Sequence, residues 1–220
     1  MNRTLFSAAC FLLTTVWSLA ADQPTRVTCV GDSITHGSGT KNPSTDSYPA
    51  QLAKRLGDQW AVSNFGVSGA TLLNHGDKPY QKQKFCKEAL DSRPDVVVIM
   101  LGTNDTKPQN WKFKEEFVAD YKDLIDQFEK LETHPKIFVC LPPPVPGKGN
   151  FGINEAGVEE EMPMIRKIAD DEHAKVIDVY AALKDTPELL PDRVHPNTEG
   201  AGVLAQTVEK SLKAADAGKQ

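Results

Sequence analysis

Five short apolar runs, set apart by longer amphipathic stretches, constrain this chain more than any other feature. The strongest is Val96-Val97-Val98-Ile99-Met100-Leu101, six apolar residues without interruption. A half-exposed strand would alternate apolar and polar residues, so an unbroken, mostly β-branched block suits a strand buried on both faces. Arg26–Val30, Ala61–Phe65, Ile137–Leu141 and Val176–Val179 read as four further strands. Helices are predicted between them, over Tyr48–Leu56, Gln81–Leu90 and Glu159–Glu172, and from Thr198 onward. Phe113, Phe117, Tyr121, Leu124, Ile125, Phe128 and Leu131 recur at spacings of three and four, which predicts another amphipathic helix. Pro142-Pro143-Pro144 ends the fourth strand because proline has no N–H to give to a ladder. Five repeats of strand then helix predict an α/β fold of three layers, α/β/α. Its five-stranded parallel sheet is joined by right-handed crossovers and covered on both faces.

The first 21 residues stand apart from this pattern. Asn2 and Arg3 precede an apolar run from Leu5 to Trp17, and Ser18-Leu19-Ala20-Ala21 then supplies the small residues that suit signal-peptidase cleavage. The run falls short of the roughly 20 residues that span a bilayer. Residues 1–21 therefore read as a signal peptide, and 22–220 as a single domain exported to the periplasm or beyond, with no stable membrane insertion after cleavage. Cys10 lies within the apolar run and does not mark a lipoprotein. The remaining cysteines are Cys29, Cys86 and Cys140. Cys29 and Cys140 fall in predicted strands, where cysteine is commonly a small hydrophobe, and an odd number leaves at least one thiol unpaired unless chains pair with each other, so a disulfide framework is not indicated. The formal charge of −5 gives no electrostatic reason to bind nucleic acid.

Ligands of open parallel sheets gather at the carboxyl ends of the strands, which directs attention to the residues just past each run. Gly31-Asp32-Ser33-Ile34-Thr35 follows the first run, Gly66-Val67-Ser68-Gly69 the second, and Gly102-Thr103-Asn104-Asp105 the third. Asp192-Arg193-Val194-His195 lies near the end of the chain. A serine hydroxyl is a weak nucleophile without a base, and an imidazole with a pKa near 6.5 is suited to take and return its proton. An aspartate three residues before the histidine is placed to orient the ring and stabilise the imidazolium.

These four blocks, in this order, resemble the SGNH hydrolases, or GDSL-type esterases, over nearly the whole mature chain. Gly31-Asp32-Ser33 matches the serine block, Gly66 the glycine block, Gly102-Thr103-Asn104-Asp105 the asparagine block, and Asp192-x-x-His195 the last. The resemblance implies a flavodoxin-like α/β/α fold and a serine nucleophile, Ser33, served by His195 and Asp192. It also implies an oxyanion hole formed by the N–H groups of Ser33 and Gly66 and the side-chain amide of Asn104. The implied activity is hydrolysis of acyl esters, O-acetyl esters of carbohydrates foremost, without metal or cofactor. The family also contains lipases, thioesterases and arylesterases, and a glycan-binding module that has lost turnover is the rival of another class.

Other residues have narrower readings. Asp32 is expected to support the serine loop, and Asp105 to cap the following helix or brace that loop. Asp32, Asp105 and His36 have no recognised metal-ligand spacing. Trp111, Phe113 and Phe151 are candidates to line a substrate cleft, His75 to touch substrate. The loops over 40–47 and 142–152 border the inferred site.

Overall fold

The computed structural model describes residues 23–217, so the expected signal peptide lies outside the described residues. Five strands, β1 (Thr25–Gly31), β2 (Trp60–Gly66), β3 (Val96–Met100), β4 (Lys136–Cys140) and β5 (Lys175–Ile177), form one sheet. Its order is β2-β1-β3-β4-β5, and every neighbouring pair is parallel. The longer helices are α3 (Tyr48–Leu56), α4 (Lys84–Asp91), α6 (Phe117–Glu129), α7 (Glu155–Asp171) and α9 (Thr198–Ala217). Short turns of helix stand between them: α1 (Ser33–His36), α2 (Pro43–Asp46), α5 (Pro108–Trp111) and α8 (Val179–Leu183).

The central position of β3, between β1 and β4, explains its unbroken apolar sequence: all five residues are buried. Successive side chains leave a strand on opposite faces. Val97 and Ile99 join one core with Tyr121 and Leu124 of α6 and Ile165 of α7. Val96, Val98 and Met100 join the other with Tyr48 and Leu52 of α3 and Leu204 and Val208 of α9. The expected three layers follow from this division.

Local chemistry moves several element boundaries. α7 begins four residues before the predicted Glu159, because the Asn154 side chain accepts the Gly157 N–H at 3.0 Å and caps the helix there. β5 stops at Ile177: the Asp178 carboxylate accepts the Ala181 N–H at 2.8 Å, and Val179 starts α8 instead of extending the strand. Phe113 and Leu131 fall outside α6, although both pack on the same core. Part of the loop over 40–47 is the helical turn α2, capped by Asn42. Asp216 and Ala217 are the last residues of α9.

Cys29, Cys86 and Cys140 are buried free thiols. Burial pushes Cys29 up to about 12 and Cys86 to about 11. They are packing residues, poor in the reactive thiolate. Among the described residues no helix is long and apolar enough to cross a membrane.

Ile99 is fully buried at the centre of the sheet. Ile99→Ala is expected to destabilise the fold by about 2–5 kcal/mol, through lost burial and the cavity left behind. Urea unfolding checks this; a loss under 1 kcal/mol would mean the core collapses around the gap.

Candidate active site

The strand order reverses around β1, which lies between β2 and β3, and the crevice at such a reversal is where this architecture holds ligands. Ser33 leaves the end of β1 there as the first residue of α1. Asp32 caps this turn through Ile34 N–H···Oδ1 at 2.8 Å. The Ser33 carbonyl accepts from the N–H groups of Gly37 and Ser38, at 3.0 and 2.9 Å. Among the described residues no acceptor takes the Ser33 N–H itself, a donor left over at the start of a helix.

The segment after α8 brings back the histidine from 162 residues away. His195 Nε2 lies 2.9 Å from Ser33 Oγ, and His195 Nδ1 lies 2.7 Å from Asp192 Oδ2. The other Asp192 oxygen accepts the backbone N–H groups of Val194 and His195, at 3.0 and 2.7 Å. Arg193 makes the bend that folds the carboxylate back, with a left-handed φ of 71° that is uncommon outside glycine. Burial opposes ionisation of Asp192, but the hydrogen bonds from His195 and Val194 outweigh it and hold the carboxyl below its ordinary range. A carboxylate at Nδ1 fixes the tautomer that leaves Nε2 free to accept from the serine. Gly39 permits the approach: with φ of 93°, a Cβ there would lie 2.8 Å from the His195 Cβ.

The third group is less simply arranged. Asn104 is buried, and its amide donates to Asp32 Oδ2 at 3.2 Å and to the Ala70 carbonyl at 3.1 Å. Both donors are thus engaged at long distances, and an oxyanion would share or displace them. The expected role of the Gly66 N–H meets a clearer obstacle, because it donates to Asn64 Oδ1 at 2.9 Å. Gly66 is needed for a different reason: a Cβ there would sit 2.2 Å from the His36 nitrogen of α1. Gly69, three residues on, has φ of 80°, and among the described residues no acceptor takes its N–H. Its neighbours tie it to the site, Ala70 through the Asn104 amide and Ser68 through Ser38, with 3.3 Å between their hydroxyl oxygens. The block held two glycines, and the backbone geometry distinguishes them.

Asp105 braces neither a helix start nor the serine loop. Its carboxylate accepts the N–H groups of Leu72 and Leu73, at 2.9 and 2.8 Å, and so fixes the segment after Gly69. Asp32, Asp105 and His36 do not bring ligand atoms together; among the described residues only Asp126, Glu129 and Glu172 do so. Trp111 donates its indole N–H to Glu160 at 2.7 Å and packs on Phe117, and Phe113 lies beside His75. His75 itself pairs with Glu116 at 2.6 Å. Of the three candidate cleft aromatics, Phe151 is the one against the histidine, its ring centre 5.7 Å from that of His195.

Three buried carboxyls underlie the site. Burial pushes Asp32 up to about 6 and Asp105 to about 7, in each case against the hydrogen bonds that the carboxylate accepts. Glu161, on α7, was not anticipated: it is fully buried, and neither carboxyl oxygen has a hydrogen-bond partner among the described residues. It lies against the asparagine turn, where a Cβ on Gly102 would come within 2.7 Å of its Oε2. Burial, then the proximity of Asp105 and Asp32, pushes Glu161 well above the usual carboxylate range. Such groups bind their proton more tightly folded than unfolded. Their stabilisation is complete below about pH 4 and is lost as pH rises through the folded values. The thermal midpoint should therefore fall from about pH 5 to about pH 8.5, and fall less in Glu161→Gln. Equal falls in the two proteins would remove Glu161 from the account.

A model of the GDSL-like Lipase/Acylhydrolase family matches residues 29–203. An acetylxylan esterase of Xylanibacter ruminicola is 37% identical over 207 residues, covering 86% of this chain and 43% of that protein. Cellulase/esterase CelE of Acetivibrio thermocellus is 29% identical over 156 residues, covering 60% of this chain and 19% of its own length. The chain thus spans less than half the length of these relatives. Est24, a carbohydrate acetylesterase from Sinorhizobium meliloti, shares the fold with a TM-score of 0.72 at 24% identity, over 87% of this chain and 99% of that one. With the family match running from β1 into α9, the chain belongs to the GDSL-like lipase/acylhydrolase family.

Proposed function

We propose that this protein is a serine esterase that hydrolyses acyl esters, O-acetyl esters of carbohydrates foremost, through an acyl-Ser33 intermediate. One observation carries the reading: a continuous hydrogen-bonded path from Ser33 Oγ through the His195 ring to Asp192, with steps of 2.9 and 2.7 Å. Ser33 Oγ bonds to the ester carbonyl carbon while His195 Nε2 takes the hydroxyl proton, and the carbonyl electrons move onto oxygen. Collapse of this tetrahedral species expels the alcohol oxygen, which receives the proton from Nε2. Water then attacks the acyl-serine with the same base, and the carboxylic acid leaves as Ser33 regains its proton. Asp192 holds the ring in the reactive tautomer and offsets the charge of the imidazolium.

The oxyanion donors in this reading are the Ser33 N–H, the Gly69 N–H and the Asn104 amide. Gly69 takes the place expected of Gly66, whose N–H is already bonded to Asn64. The 37% identical acetylxylan esterase supports an acetylated carbohydrate as substrate. The leader-like residues 1–21 support export, so the ester is met outside the cytoplasm, and the acidic net charge supports a partner other than nucleic acid.

Ser33→Ala is expected to abolish turnover and leave the thermal midpoint nearly unchanged; more than trace activity would reject Ser33 as nucleophile. A fluorophosphonate probe should label the parent protein, and folded protein that resists labelling would favour a binding module. Asp192→Asn should lower kcat/KM less than His195→Ala does, since it misorients the base without removing it. Asn104→Ala should cost roughly 10²–10³-fold in kcat, the loss typical of one oxyanion donor. Acetate release from acetylated xylan should exceed release of long-chain acids from p-nitrophenyl esters; the reverse order would sink the carbohydrate assignment.

A further inference from the structure

Phe151 is an anomaly next to a conventional site. It is the most exposed large hydrophobic side chain among the described residues, at 58%. Its backbone is left-handed, with φ of 54°, a conformation a bulky aromatic residue seldom adopts unless its surroundings enforce it. Here they do. Asn150 donates its side-chain amide to the Asp192 carbonyl at 3.1 Å and accepts the Phe151 N–H at 2.9 Å. Ile153 N–H closes the loop on the Asn150 carbonyl at 2.8 Å, and the Ile153 side chain is buried with Val194, the residue before the histidine. The loop that presents Phe151 is therefore fastened to the segment that carries Asp192 and His195.

The chemistry says which half of an ester passes this ring. His195 returns its proton to the departing alcohol oxygen, so the alcohol must come within hydrogen-bond reach of Nε2. A ring centred 5.7 Å from the imidazole stands near the place that the alcohol half must occupy. Pyranose rings are amphipathic: their hydroxyls lie mostly around the rim, and the C–H bonds of one face form an apolar surface that matches an exposed aromatic ring. A side chain that only shielded His195 from water would have its ring buried.

We propose that Phe151 is a specificity-determining residue, a platform that packs against the C–H face of the acetylated pyranose whose oxygen is protonated by His195. The proposal rests on the serine-esterase reading above and adds the sugar contact to it. It costs little ordering, because the platform is held in place before substrate arrives.

The test compares two acetates with the same acyl-enzyme and different alcohols: an acetylated xylo-oligosaccharide and ethyl acetate. Their kcat/KM values differ only through acylation, and their ratio does not depend on the fraction of active protein. The parent protein should favour the oligosaccharide. Phe151→Ala should lower the ratio about tenfold or more, mainly through KM for the sugar ester, and Phe151→Trp should restore most of it. An unchanged ratio in Phe151→Ala would overturn the proposal, however much both rates fall together, because shielding of His195 serves every ester equally. A parent protein that hydrolyses ethyl acetate without preferring the sugar ester would remove both the platform and the carbohydrate assignment, and one inert on both would remove the esterase reading itself.

Discussion

The parallel register of β1 with both its neighbours is the constraint on which the site depends. Gly31 is level with Gly66 on one side and with Met100 on the other. Three chain segments therefore leave the sheet at one height and turn over the same crevice: the serine turn, the Gly66–Ala70 segment and the Gly102–Asp105 turn. A one-residue slip of β1 would move Ser33 relative to both and put its core residues on the wrong face. The burial that protects the register is large, since Val27, Cys29 and Val30 are fully buried between two helical layers. Stability and site geometry thus have a common source.

The His195 segment is not part of that register and reaches the crevice by other means. It is held by short-range bonds to Asp192, by the bend at Arg193 and by the Asn150 amide from the neighbouring loop. One rigid element carries the proposed nucleophile and one self-braced loop carries the proposed base. Their meeting depends on Gly39, where any side chain would press its Cβ to 2.8 Å from the His195 Cβ.

What the chain declared openly follows from pattern and spacing. The five strands were legible because β3 is apolar throughout and the helices repeat their apolar residues every three or four. Ser33 was legible because the rule about strand ends narrowed the search to a few blocks, and Asp192 and His195 because an acid three residues before a histidine is placed to orient its ring. Gly66 and Gly69 were not separable, since both are glycines in one block and only the hydrogen bond to Asn64 shows which N–H is engaged. Asp105 sits where helix caps commonly sit, and its actual partners, Leu72 and Leu73, are more than 30 residues away. Glu161 was hidden for a related reason: within Glu159-Glu160-Glu161 it looks like part of a solvated helix face, but a helix turns about 100° per residue, and here the third of the three is carried round to the buried face.

Asp32 links the two halves of the proposed oxyanion machinery. One carboxylate oxygen holds the Ile34 N–H and so shapes the turn that offers the Ser33 N–H; the other holds the Asn104 amide. A full negative charge there would oppose the oxyanion that these donors are meant to stabilise, and burial, which raises Asp32 to about 6, works against that charge. Proximity to His195 works the other way, favouring the carboxylate most when the imidazole is protonated. In the proposed reaction the histidine gains its positive charge as the oxyanion gains its negative one. Asp32 would then feel opposite charges that appear together, and its contribution to that reaction is the geometry it imposes on both donors.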